Sequence, residues 1–402
     1  MLARILASTA GLILFLAAAP PPFPADADEI LTKVRDAYAS LKTYDSTVST
    51  IGTFEIDGVK DVMTTPRQTA RADNNARQPM SSQQLASQRE HFPNADVLYD
   101  WVTNSRGEKL RTFISRPKSA SGKVPAIFFV GWLSCDTMES PDPKPDDGFG
   151  ILLGRLIDQS GFATVRMDKP GVGESQGNCA KADFQSEMTG WQAAFDSMSK
   201  YDFVDPDRVF VIGLSNGGGF SPMAARDHPV RGYISASSWG RTWYEHMLEL
   251  ERRRLNAEKK SPAEVNRDVK RFVEFYSLYL IDGMTPGEVI AKHPEWKNLW
   301  YGAPDSQYGR PAAFYQQLEA LNLGEIWQNV RVPVLVIRGK ADTIMSRADS
   351  EAIAQTVDKV HPGQARYLEI DSMAHDFTVH NKFDDRIVTT ILNWINEQLA
   401  TK

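Results

Sequence analysis

Ser215 lies in the run Val209-Phe210-Val211-Ile212-Gly213-Leu214-Ser215-Asn216-Gly217-Gly218, with glycine two positions to either side. The apolar stretch reads as a buried strand. Small residues flanking the serine let the chain make a strained turn that exposes the hydroxyl at the start of a helix. There the helix dipole and free N–H groups favour a developing oxyanion, so the chemistry indicated is nucleophilic attack on a carbonyl. One departure is Pro222, which is expected to disturb the early turns of that helix.

A serine hydroxyl needs a base to take its proton, and that base needs a group to orient it. Asp342 follows the apolar run Val332 to Ile337, within Arg338-Gly339-Lys340-Ala341-Asp342. His375 follows Arg366 to Ile370, within Asp371-Ser372-Met373-Ala374-His375-Asp376-Phe377. Each is placed on a loop at the C-terminal end of a strand. His380 is near enough in sequence to compete as the base, and Asp371 and Asp376 are the alternatives to Asp342. His91, His228, His246, His293 and His361 stand at less suitable positions.

The elements that must hold these loops are legible from periodicity. Val97 to Thr103 and Leu110 to Ser115 predict a hairpin around Ser105-Arg106-Gly107. Strand-like runs follow at 126–130, 163–167, 209–214, 232–236, 332–337 and 366–370. Amphipathic helices are predicted over 149–159, 184–200, 350–357 and 387–399. Continuous Val/Ile/Phe strands separated by helices indicate a mainly parallel sheet of about eight strands, covered on both faces. Between Trp239 and Val330 the pattern predicts no strand but many aromatics, from Trp243 to Trp327. This interval is too long for a loop and is expected to form a helical cap over 240–330. Its rings are expected mostly to supply the cap's own core, with a minority lining a pocket.

Upstream, Met1 to Ala19 has one positive charge, Arg4, followed by an apolar run and Pro20 to Pro22. It reads as a signal peptide cut after Ala27, with an uncleaved anchor as the competing reading. The mature chain is then expected to be periplasmic or secreted, with no integral membrane span. Residues 28–96 are expected to hold a helix over 27–41, a hairpin of Thr47 to Glu55 with Val59 to Thr64 around Asp57-Gly58, and over 66–93 a polar linker or an extended surface segment. The 402 residues carry a net charge of −6. The one dense basic cluster, Arg252 to Arg254, is interleaved with glutamates, which argues against a nucleic-acid partner. Cys135 and Cys179 are the only cysteines and could be a disulfide or two unlinked core residues.

The order Ser215, Asp342, His375, the Gly-Leu-Ser-Asn-Gly-Gly elbow and the run Asp168-Lys169-Pro170-Gly171-Val172-Gly173-Glu174-Ser175 resemble the α/β-hydrolase superfamily over roughly 97–400. In detail the chain is similar to secreted bacterial esterase- or peptidase-like hydrolases. The resemblance implies an α/β-hydrolase core, 97–239 and 331–402. It also implies an oxyanion hole from the N–H of Asn216 and an N–H after the third strand, where Trp132 is the choice. The common His-Gly-Gly-Gly sequence is absent there. With the strands so placed, Cys135 and Cys179 fall on two loops at the catalytic edge, and a disulfide between them is expected to brace the oxyanion-side loop. The Asp168 to Ser175 run matches neither a P-loop nor a dinucleotide fingerprint and is expected to be structural.

The leading expectation is a serine hydrolase that cleaves a small-molecule carboxylic ester, or related acyl bond, through an acyl-enzyme. A serine peptidase of acyl-aminoacyl or dipeptidyl type uses the same machinery but usually brings a large gating domain. A non-catalytic hydrolase-like binding protein is the third reading. With no zinc-protease helix motif and no calcium loop, no metal or cofactor is expected.

Overall fold

The computed structural model describes residues 43–48, 51–56, 59–64, 68–73, 89–139, 141–226 and 228–401. The expected signal peptide (1–27) and the helix over 27–41 lie outside the described residues. The chain divides into two units, Met1–Ser87 and Gln88–Lys402.

In the first unit, strands β1 (Thr43–Val48), β2 (Ile51–Ile56), β3 (Val59–Thr64) and β4 (Gln68–Asp73) form two antiparallel pairs. β2 and β3 make the expected hairpin, with Ile56 opposite Val59. Within 66–93, β4 is extended and pairs with β1, Thr43 opposite Asp73. Ladder hydrogen bonds join backbone groups, so a polar stretch can form a strand without an apolar signal. Glu90, near the end of the same segment, belongs to the second unit and is buried there against Arg166.

The second unit opens with β5 (Ala95–Thr103), β6 (Lys109–Pro117), β7 (Val124–Val130), helix α1 (Gly148–Gln159), β8 (Ala163–Met167), α2 (Phe184–Asp196), β9 (Val204–Leu214), α3 (Asn216–Ala225) and β10 (Gly232–Ala236). An insertion follows: α4 (Trp243–Ala257), α5 (Pro262–Tyr276), α6 (Pro286–Lys292), the two-residue strands β11 (Ser306–Gln307) and β12 (Arg310–Pro311), α7 (Ala312–Glu319) and α8 (Leu323–Gln328). The chain returns through β13 (Val334–Gly339), α9 (Arg347–Val360), β14 (Ala365–Ile370) and α10 (Arg386–Ala400).

The eight-stranded sheet has the order β14-β13-β10-β9-β7-β8-β6-β5, and only β6 runs against its neighbours. Residues 126–130 of β7 are wholly buried, as expected where helices cover both faces. Strand order reverses at β7, with β8 on one side and β9 on the other. Right-handed crossovers therefore send α1 to one face and α2 and α3 to the other. The C-terminal ends of β7, β8 and β9 open a crevice at this reversal.

The insertion is helical apart from the short β11–β12 pair, which its composition did not signal. Thr242, Ser261 and Thr285 each close a capping box with a glutamate three residues on, which fixes where α4, α5 and α6 begin. Most of its rings, including Trp243, Phe272, Phe275, Tyr276, Tyr279, Phe314 and Tyr315, are buried core. Trp327 of α8 instead meets Tyr233 of β10 edge-on and donates from Nε1 to Gly219 O of α3 at 2.7 Å. Among the described residues, no helix is long and apolar enough to cross a membrane.

Candidate active site

Ser215 occupies the turn between β9 and α3 with φ 52° and ψ −123°, a left-handed backbone that a β-carbon resists. The surroundings enforce it. Ser215 N donates to Ala236 O at 2.9 Å, and Ser238 Oγ donates to Ser215 O at 2.7 Å. A β-carbon at Gly213 would strike Gly218, and one at Gly217 would strike the carbonyl oxygens of Gly131 and Val130. The glycines flanking the serine are thus a steric requirement of the turn. Pro222 sits inside α3 without breaking it. Its missing N–H frees Gly218 O, and Ser235 Oγ donates to that carbonyl at 3.3 Å.

Ser215 Oγ lies 2.8 Å from His375 Nε2, and His375 Nδ1 lies 2.9 Å from Asp342 Oδ2. The three residues come from loops after β9, β14 and β13. Asp342 is buried, and its Oδ1 accepts from the N–H groups of Ile344 and Met345, both at 2.8 Å. Burial alone would raise its pKa. The His375 contact and the two N–H bonds outweigh this and hold the carboxyl below its ordinary value. Arg338 Nη2 donates to Asp342 O at 2.9 Å, and Arg253 of α4 donates to the carbonyls of Thr343 and Ile344 at 2.6 and 2.9 Å. The alternatives lie elsewhere: Asp371 is exposed and paired with Lys340, Asp376 bonds Thr378, and His380 is exposed.

Asn216 is the first residue of α3, so its N–H has no helical acceptor. Trp132 lies on the loop after β7, and its ring stacks on Phe149 at 4.9 Å. Phe149 in turn meets His375 edge-on at 5.8 Å. Cys135, three residues on, forms a disulfide with Cys179, their Cα atoms 6.0 Å apart.

The Asp168 to Ser175 run holds this same loop. Asp168 accepts from Met138 N at 2.6 Å and Thr137 Oγ1 at 2.7 Å. Burial pushes its carboxyl up to about 6 in spite of those bonds. Lys169 donates from Nζ to the carbonyls of Trp132 and Ser134. Arg166 of β8 donates to Met138 O at 2.7 Å while paired with Glu90. Arg310 of β12 is fully buried, ion-paired with Glu187 of α2, and its Nη1 lies 2.8 Å from Cys179 Sγ. Reading the sequence found none of Lys169, Arg166, Arg310 or Glu187 as site residues.

The chain has the α/β-hydrolase fold. No family model and no curated protein matches it. Solved structures do. Est1E from Butyrivibrio proteoclasticus, with ferulic acid bound, is 18% identical with a TM-score of 0.51, over 75% of this chain and 100% of that one. A hypothetical protein from Pseudomonas aeruginosa is 18% identical with a TM-score of 0.50, over 76% and 94%. Acetyl xylan esterase 1 from Thermoanaerobacterium sp. is 16% identical with a TM-score of 0.47, over 95% and 96%.

Proposed function

We propose that this chain is a serine hydrolase of carboxylic esters, working through an acyl-enzyme. The observation that supports it is the continuous line Ser215 Oγ, His375, Asp342, with contacts of 2.8 and 2.9 Å, built on a serine held at φ 52°. In this reading Ser215 Oγ attacks the ester carbonyl carbon while His375 Nε2 takes its proton. Asp342 orients the ring and balances its charge. The carbonyl oxygen becomes an oxyanion facing the N–H groups of Asn216 and Trp132, and donors of this kind contribute about 3 kcal/mol each. His375 then gives its proton to the leaving alcohol oxygen as the C–O bond breaks. Water, activated by the same histidine, attacks the acyl-serine to release the acid and restore Oγ–H.

The Cys135–Cys179 disulfide supports export to an oxidising compartment. The contacts of Trp327 favour assigning α8 to the hydrolase core, so that the cap ends before Leu323.

Labelling with a fluorophosphonate, followed by a panel of p-nitrophenyl esters and aminoacyl p-nitroanilides, tests the proposal. Rapid ester turnover with labelling lost in Ser215→Ala is expected. Turnover of aminoacyl substrates without esters would favour a peptidase, and labelling that persists in Ser215→Ala would remove the nucleophile. Absence of both labelling and turnover would favour a binding protein.

A further inference from the structure

We propose that Lys169 is a positioning residue for the oxyanion site, its ammonium fixing the Trp132 peptide against the carbon that Ser215 attacks. The inference rests on the serine-hydrolase reading above.

Lys169 is buried at the exit of β8, and its Nζ donates to two carbonyls of a single short loop, those of Trp132 and Ser134. Each peptide unit is planar, so a residue's N–H lies in the plane before its Cα, opposite the preceding carbonyl, and the plane after it acts on that N–H only through the residue's own φ and ψ. The plane before Trp132 carries Gly131 O, which packs against Gly217 at the start of α3. The plane after it carries Trp132 O, drawn down onto Lys169. Ser215's helix therefore fixes one plane and Lys169 the other. The disulfide at Cys135, Asp168 on Thr137 and Met138, and Arg166 on Met138 O secure only the later part of the loop.

A buried ammonium is costly, and an apolar side chain of similar length would fill the space without that cost. What the charge adds is a pull on two carbonyl dipoles, and that pull depends on the proton. Around Lys169 stand Glu187 of α2, Arg310 of β12, Asp136 on the loop itself and the adjacent Asp168. Burial, chiefly, lowers the lysine pKa to about 8; Arg310 adds to this and the three carboxylates oppose it. As pH rises through that value the ammonium is lost and the Trp132 peptide is released. An alkaline limb in kcat follows.

The test compares the wild-type chain, Lys169→Met and Ser215→Ala. It measures p-nitrophenyl acetate hydrolysis between about pH 6 and about pH 10, and inhibition by an aryl trifluoromethyl ketone, whose hemiketal anion occupies the oxyanion position. In Lys169→Met, kcat should fall about 10- to 100-fold with KM moving less than about 3-fold. Ketone affinity should fall by the same factor as kcat, and the alkaline limb should vanish. A variant that keeps kcat within about 3-fold, keeps the limb, or loses kcat with ketone affinity intact overturns the proposal. Should Lys169→Met fail to fold by circular dichroism, the wild-type profile decides. Ketone affinity falling in parallel with kcat near pH 8 supports it; affinity flat across that range overturns it. Undiminished turnover by Ser215→Ala would instead mark failure of the serine reading itself.

Discussion

His375 Nε2 stands 2.8 Å from Ser215 Oγ although the two residues are 160 positions apart. The ring is held from its other nitrogen by Asp342 at 2.9 Å. Removing any member should therefore affect turnover far more than folding. For p-nitrophenyl acetate, kcat should fall by about 10⁴-fold or more in Ser215→Ala and His375→Ala, and by about 10⁴-fold in Asp342→Asn, with unfolding midpoints little changed. His375→Ala retaining a tenth of wild-type kcat would remove it as the base.

Gly217 couples the serine helix to the loop opposite. A β-carbon there meets Gly131 O and Val130 O, so Gly217→Ala must push the Trp132 loop away from Ser215. Overpacking of this kind costs about 1–3 kcal/mol of stability. Loss of one oxyanion donor would add a fall of about 100-fold in kcat. Measuring both separates the effects: stability lost with kcat intact would mean that the loop yields without moving Trp132 N–H.

The Cys135–Cys179 bridge spans a sequence separation of 44 residues. Closing such a loop restricts the unfolded chain by about 4 kcal/mol, so the Cys135→Ser/Cys179→Ser double variant should lose that much in urea unfolding. A phosphine reductant should shift the wild-type midpoint similarly and leave the variant unmoved. Two titratable thiols in the denatured, unreduced protein would show the bridge to be absent.

The candidate site was legible in the sequence wherever a candidate residue follows a strand-forming run. Ser215, Asp342 and His375 all follow runs whose composition announces them, and the structure brings these three within hydrogen-bond distance of one another in line, while Asp371 and His380 face solvent. The supports beneath the site left no such mark. Arg310 reaches Glu187 across 123 positions and Lys169 reaches Trp132 across 37, and neither has a periodic pattern that could report a contact made only by folding. β4 carries no apolar mark for the complementary reason, its pairing being a backbone property. The Asp168 to Ser175 run, read as structural, grips the loop that carries Trp132.

Arg310 is a second such support. It joins the insertion to α2 through Glu187, with no exposure to solvent. Breaking one partner of a buried pair leaves the other charge uncompensated, so Arg310→Met should cost about 3–5 kcal/mol. Arg310→Met combined with Glu187→Leu should recover much of that loss. A double variant as unstable as the sum of the two singles would show that the pair is not coupled.

Asp349 ties the insertion to the helix after the Asp342 loop, and its protonation sets a pH limit. It is fully buried, accepting from Arg241 Nη2 at 2.7 Å and Ser346 N at 2.9 Å, with His246 Nδ1 at 3.1 Å. Burial would raise its pKa, but His246, Arg241 and the N–H bond together hold it well below the carboxylate range. The unfolded chain, with an ordinary carboxyl near about 4, binds the proton first as pH falls. The stabilisation is thus complete above about pH 5 and is lost progressively with acid. Asp349→Asn should be about 3 kcal/mol less stable at neutral pH and show a flatter decline between about pH 5 and about pH 3. Urea midpoints of both proteins across that range give the comparison. An acid decline equal to that of wild type would place the sensitive carboxyl elsewhere.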